Sequence, residues 1–187
     1  MKLAVVFPGI GYHVDKPLLY YSKKIAQSQG YQVADVPYGG FPAGVKGSRE
    51  KMEACFASAL AQTEDLLRGM DFAQYDEVLF LSKSIGTAIA CAYGQRHGLR
   101  TRNVYFTPVA ETFLFQEQPG VVFHGTSDSW ADTAVIKAEC EKRGLPLYLV
   151  SNADHSLETG DVLNDLSTLR SVMETVERYI TKQEELK

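Results

Sequence analysis

The chain has little with which to hold a metal or to staple a small fold. Its three cysteines, Cys55, Cys91 and Cys140, are odd in number and far apart. Each sits within a helix-like pattern, which gives neither a disulfide framework nor metal-ligand spacing. They read as small buried thiols; no metal and no cofactor is expected. Excess positive charge is missing as well. Nineteen Lys and Arg are scattered among 23 Asp and Glu, so there is no basic field to attract nucleic acid. No apolar run approaches the roughly 20 residues of a membrane-spanning helix. A strand-like segment begins directly after Lys2 with no leader pattern before it, and the expectation is a soluble, cytoplasmic protein. Linkers, repeats and low-complexity runs are also lacking. With 187 residues, 45% of them hydrophobic, the chain should form one domain, 1–187, around a sizeable core. Nothing in the pattern specifies an oligomeric state.

What is present is a regular alternation. Leu3 to Phe7, Tyr31 to Val36, Val78 to Leu81, Asn103 to Thr107, Gly120 to Gly125 and Pro146 to Val150 are short apolar runs of the kind that fill a parallel sheet buried on both faces. Helical spacing fills the gaps. Asp15 and Pro17 open one helix that stops at Gly30, and Ser48 caps a long one with Met52, Cys55, Phe56, Ala59, Leu60, Thr63, Leu66, Leu67 and Met70 on its apolar face. Others run from Ser84 to Gly98, from about Asp132 to Arg143 before Gly144, and from near Asn164 to Lys182, after which Gln183 to Lys187 should fray. Pro37 to Gly47 is loop. The pattern predicts an α/β fold: a three-layer α/β/α sandwich on a six-stranded, mostly parallel sheet with right-handed crossovers. Ligands bind such sheets beyond the carboxyl ends of the strands, where Pro8, Ser84, Pro108, Asp128 and His155 would all lie.

Ser84 stands at the turn between a buried strand and a helix rich in small residues. Such a turn pushes the hydroxyl out of the sheet, and the helix amides point at whatever binds there. The stretch Ser82-Lys83-Ser84-Ile85-Gly86 resembles the nucleophile elbow G-x-S-x-G of the α/β-hydrolase family, with Ser82 where that family most often has glycine. Pro8-Gly9-Ile10 resembles the loop that supplies an oxyanion-hole amide, with proline in place of histidine. The likeness implies an oxyanion hole from the backbone N–H groups of Ile10 and Ile85. Gly9 and Gly11 also invite comparison with the dinucleotide fingerprint, but Val14 occupies its third glycine position.

A serine hydroxyl needs a base, and an imidazole serves best when a third group fixes its tautomer. In α/β-hydrolases the chain order is Ser, acid, His; Gly125-Thr-Ser-Asp128 and Ala153-Asp-His155-Ser156 resemble the acid and His segments of small bacterial members. Singly, each residue has a plainer reading. Asp128 could cap the next helix, with Asp132 a rival for either role, and His155 could be a surface loop residue. His124 is a strand residue, Asp154 should point away, His13 is a solvated loop residue, and His97 meets a helix dipole. Lys83 should be solvated or snorkelling. The resemblance covers nearly the whole chain. It implies a minimal serine hydrolase, without a large cap domain, cleaving a small ester or thioester through Ser84, His155 and Asp128 by an acyl-enzyme. Two readings compete: a non-catalytic binding protein on the same fold, and a flavodoxin-like or nucleotide-binding protein using Gly9 and Gly11, against which the missing G-x-x-x-x-G-K-[ST] loop speaks. The only cap candidate is Val109 to Pro119, with Phe113, Leu114 and Phe115. Substrate should therefore meet a small, open pocket walled by Tyr12, Pro108, Val109, Trp130 and Leu157, suited to short uncharged acyl groups.

Overall fold

A computed structural model describes residues 1–181. Its strands are β1 (Lys2–Phe7), β2 (Tyr31–Asp35), β3 (Glu77–Lys83), β4 (Arg102–Phe106), β5 (Gly120–Gly125) and β6 (Leu147–Val150). The helices are α1 (Pro17–Ser28), α2 (Arg49–Leu66), α3 (Ile85–Arg96), α4 (Thr133–Arg143) and α5 (Val162–Thr181). Every strand pairs in parallel, in the order β2-β1-β3-β4-β5-β6. The sheet is thus wholly parallel, and every one of its joins needs a crossover on one face or the other.

Alternation along the strands separates two faces. Leu3, Val5 and Phe7 of β1 and Val78 and Phe80 of β3 pack with Cys55, Ala59 and Leu60 of α2 and with Ile85, Ile89 and Tyr93 of α3. Ala4, Val6, Leu79 and Leu81 face the other way, against Leu18, Leu19 and Ala26 of α1 and Val172, Val176 and Ile180 of α5. Under α4, Ile136 and Cys140 meet Tyr105 and Val122. Three helices therefore cover one face and two the other, which is the three-layer arrangement expected. The three cysteines are free and buried.

Helix ends follow local chemistry. The Ser48 side chain accepts from the Lys51 amide and opens α2, Asp132 accepts from the Ala134 amide to open α4, and Gly144 closes α4 in the left-handed conformation. Asp15 does not cap α1. Lys16 is the N-cap and offers no side-chain bond, while Pro17, which has no amide to satisfy, occupies the first turn. The Tyr12 hydroxyl instead accepts from the Leu18 amide at 3.1 Å, and the Asp15 carboxylate meets the Lys23 ammonium at 3.3 Å. Leu66, expected in the core, is 49% exposed in the last turn of α2. The expected fraying of Gln183 to Lys187, and the end of the last helix at Lys182, lie outside the described residues. Among the described residues no helix is long and apolar enough to cross a membrane.

Candidate active site

The site begins where β3 runs out. Ser84 adopts φ 56° and ψ −127°, a region rarely open to a residue with a side chain, and surrounding contacts hold it there. Its amide donates to the Phe106 carbonyl at 3.0 Å, and its carbonyl accepts from the Thr87 amide at 3.0 Å. Only glycine fits two positions further on. A β-carbon on Gly86 would collide with the carbonyl oxygens of Phe7 and Pro8, so the first turn of α3 lies directly on the end of β1. That contact brings the Pro8-Gly9-Ile10 loop to the elbow, where a β-carbon on Gly9 would stand 3.0 Å from Ser84 Cβ. Serine in place of glycine at position 82 is no obstacle. Residue 82 is still strand, fully buried, and its hydroxyl donates to the Val104 carbonyl at 3.2 Å.

Gly125 makes the second close approach. A β-carbon there would collide with the carbonyls of Ala153 and Asp154, so the loops after β5 and β6 touch. Asp128 Oδ2 and His155 Nδ1 come within 2.7 Å, and His155 Nε2 lies 2.7 Å from Ser84 Oγ. The other carboxylate oxygen of Asp128 accepts from the Trp130 amide at 2.7 Å. Trp130 stacks on the His155 ring with centroids 5.4 Å apart, and Thr107 donates its hydroxyl to the His155 carbonyl at 3.0 Å. Asp132, the rival acid, is committed to α4. Asp154 points away, accepting the amides of Ser156 and Glu158.

Burial draws the His155 pKa below its ordinary value, and the nearby Lys83 charge adds to this, against the opposing pull of Asp128. Burial would raise the Asp128 carboxyl, but the hydrogen bond and charge of His155, together with the Trp130 amide and His124, hold it below the usual range. The imidazole is thus neutral and the carboxylate ionised near pH 7, the pairing that a general base requires.

Ile85 occupies the first position of α3, so its amide has no intrahelical acceptor. The Ile10 amide follows Gly9, whose own N–H is used by the Tyr12 carbonyl at 3.0 Å. Two grooves open beside residues next to the constellation, Ile85 after the serine and Ser156 after the histidine. One, of about 390 Å³, runs between α2 and α3 past Ile85 and Val109, with Met52, Phe56, Leu114 and Phe115 as walls. The other, of about 260 Å³, is bordered by Tyr12, Leu157 and the first turns of α5. The walls named from sequence are therefore divided: Val109 on one side, Tyr12 and Leu157 on the other, Trp130 on the imidazole, and Pro108 buried in neither groove. A larger cavity of about 500 Å³ opens at the opposite, amino ends of β4 and β5, remote from this constellation. Its Arg102 and Arg143 are bound to Glu77 and Glu139.

Sequence reasoning missed three residues. Lys83, expected to be solvated, is 1% exposed, with its ammonium 5.0 Å over the Tyr12 ring. The alternation of β3 turns it inward beside Leu81, onto the α1 and α5 face. His124 is fully buried behind the acid. Its Nε2 is 3.0 Å from the Thr133 hydroxyl, and its Nδ1 is 3.7 Å from Asp128 Oδ2 with no hydrogen-bond partner. Thr107 carries no sign in the sequence beyond ending a strand. Its place at a carboxyl end was the available signal.

No protein-family model matches the sequence, nor does any curated protein. Solved structures do match the fold. An alpha-beta serine hydrolase homologue from Coxiella burnetii is 14% identical, with 95% of this chain and 84% of that one covered at a TM-score of 0.68. A serine hydrolase without lid from Xanthomonas campestris is 13% identical, over 96% and 80% of the two chains, at 0.68. Est1E of Butyrivibrio proteoclasticus, solved with ferulic acid bound, is 11% identical over 98% and 89% at 0.67. The chain has the α/β-hydrolase fold. It is a small, lidless version, in which only residues 107–119 stand between β4 and β5.

Proposed function

We propose that the protein is a serine hydrolase that cleaves a small ester or thioester through an acyl-enzyme on Ser84. The observation that carries this reading is the unbroken chain from Asp128 to His155 to Ser84, with both links at 2.7 Å. His155 Nε2 takes the proton from Ser84 Oγ as the oxygen attacks the substrate carbonyl. The oxyanion that forms is met by the amides of Ile10 and Ile85; losing one such donor typically costs about 3 kcal/mol in the transition state. His155 then gives the proton to the leaving alcohol or thiol, and water enters by the same path in reverse. Asp128 holds the Nδ1 proton, fixing the tautomer that leaves Nε2 free to accept.

The substrate is a small molecule whose acyl group enters the groove past Ile85 and Val109. Aromatic and apolar walls there favour short to medium, uncharged chains. Est1E binds ferulic acid, which supports an acyl site on this fold. A fluorophosphonate should label Ser84 alone, read by mass spectrometry of the digested protein. Ser84→Ala should abolish both labelling and ester turnover. Wild-type protein that neither reacts nor turns over any ester, thioester or amide would sink the reading in favour of a binding protein on the same fold.

A further inference from the structure

The residue that follows β4 is one its backbone does not favour. Thr107 has φ 40°, a left-handed conformation that β-branched side chains rarely adopt and that typically costs on the order of 1–3 kcal/mol. Glycine would make the turn without strain but would bring no hydroxyl. Thr107 is buried, and its polar atoms all point at neighbouring chain. The amide donates to the Phe123 carbonyl of β5 at 2.7 Å, and the hydroxyl donates to the His155 carbonyl at 3.0 Å. One residue earlier, the Phe106 carbonyl accepts from the Ser84 amide at 3.0 Å. Two consecutive residues at one strand end are thus bonded to the main chain of the nucleophile and to that of the base. The rest of the His155 loop is tied toward the acid: the Ser127 amide donates to the Ala153 carbonyl at 2.9 Å, and the Asn152 amide to the Thr126 hydroxyl at 2.8 Å.

We propose that Thr107 is a positioning residue acting through His155: its hydroxyl holds the main chain of the base to the strand end that also holds Ser84, so that the gap between Nε2 and Oγ is set by the backbone and survives loss of the Ser84–His155 hydrogen bond. That loss occurs in every turnover. Once Ser84 is acylated its oxygen has no proton to donate, yet His155 must stay in place to activate the water that attacks the ester. Asp128 grips Nδ1 at 2.7 Å and Trp130 stacks on the ring, but both stand after β5, and the base could drift with them as a unit. The Thr107 hydroxyl ties it to the nucleophile's side instead. A displacement of about 1 Å at such a site can cost on the order of a hundredfold in rate.

The inference rests on the reading of His155 as base, and two measurements keep the two apart. Thr107→Val retains the size and β-branching and removes the hydroxyl, Thr107→Ser restores a hydroxyl without the methyl, and Thr107→Ala replaces the Val variant should that not fold. The first measurement needs no turnover. In Ser84→Ala protein, which lacks the bond from the serine, the His155 Nδ1 proton is followed by low-field proton NMR, with His155→Ala to assign it. It should remain visible in Ser84→Ala, be lost to solvent exchange when Thr107→Val is added, and return with Thr107→Ser. The second is pre-steady-state hydrolysis of a nitrophenyl ester. Thr107→Val should slow the step after the burst, when Ser84 is acylated, by about tenfold or more with KM little changed, and Thr107→Ser should recover most of that rate. A merely structural threonine would lower the urea midpoint and leave both readouts in place. An Nδ1 proton that persists in the double variant would overturn the assignment, as would an equal loss with Val and with Ser. Absence of any turnover in wild type would defeat the hydrolase reading alone, leaving the Nδ1 proton to decide the role of Thr107.

Discussion

Gly86 and Pro8 meet backbone to backbone: a β-carbon at position 86 would collide with the Pro8 carbonyl and with that of Phe7 beside it. Phe7 ends β1 in register with Ser82 of β3, and the Pro8 carbonyl just beyond it accepts from the Tyr38 hydroxyl, so neither can move without disturbing those pairings. Gly86→Ala must therefore lift α3 off the sheet, taking the Ile85 amide and Ser84 with it. Overpacking of this kind typically costs about 1–3 kcal/mol. We expect a lower urea midpoint together with loss of fluorophosphonate labelling. Wild-type labelling in Gly86→Ala would show that the elbow tolerates the displacement and that the close contact is not what sets it.

Asp128 and Asp132 lie four residues apart on the loop before α4 and do different work. Asp132→Ala removes the cap of α4 and should lower stability by about 1 kcal/mol, with turnover little changed. Asp128→Asn retains an oxygen for the Trp130 amide and so should leave the fold intact. Its amide would present the wrong partner to the imidazole, and turnover should fall by on the order of a thousandfold or more. If Asp132 proves the more damaging site for turnover, the acid is misassigned.

Most of the frame is legible in the sequence because its signals are local. Apolar runs such as Gly120 to Gly125 form the strands that their composition predicts, and Ser48, Asp132 and Gly144 mark helix ends by side-chain or backbone chemistry that needs no tertiary partner. Counting strands places Ser84, Asp128 and His155 beyond three carboxyl ends, while their reading as Ser, acid and His in that order is what the resemblance to α/β-hydrolases implies. What stays hidden depends on distant neighbours. Lys83 looks solvated in sequence, since charge is the stronger local cue; only the packing of Tyr12 over it shows otherwise. Asp15 looks like a cap, yet the Tyr12 hydroxyl holds the Leu18 amide in its place. The division of the expected pocket walls between two grooves likewise follows from where α2 and α5 lie, which no local pattern encodes.

The buried Lys83 should also be visible in stability. In the unfolded chain a lysine keeps its proton to about 10.4, whereas in the fold Lys83 releases it near 7. Between these values the unfolded state binds one proton more, so stability rises with pH, by up to about 1.4 kcal/mol per pH unit. Below about pH 7 both states carry the proton and this dependence stops. Urea denaturation from pH 6 to 9.5 should show the rise in wild type and its loss in Lys83→Met, with the Met variant more stable at pH 6. Parallel curves would mean that Lys83 is charged in the fold throughout.

The groove past Ile85 and Val109 sets the last expectation, because α2 joins the short 109–119 segment in forming its walls. Met52 lines it, and Phe56 and Phe115 stack with centroids 5.5 Å apart. An acyl chain laid there buries methylenes against these side chains, each worth about 0.8 kcal/mol, or roughly fourfold in kcat/KM. Arg49, Glu53 and Glu111 stand among the lining residues, so a long chain must pass from apolar walls to charged ones. Hydrolysis of nitrophenyl esters should therefore be best with short to medium chains and fall toward those of about ten carbons. Met52→Trp should fill the groove without touching Ser84. Acetate turnover should then survive, while kcat/KM for butyrate and hexanoate falls by about tenfold, mainly through KM. An equal loss on acetate, or a wild-type rate that climbs steadily to the longest chains, would place the acyl group elsewhere, with the groove beside Tyr12 and Leu157 the remaining site for it.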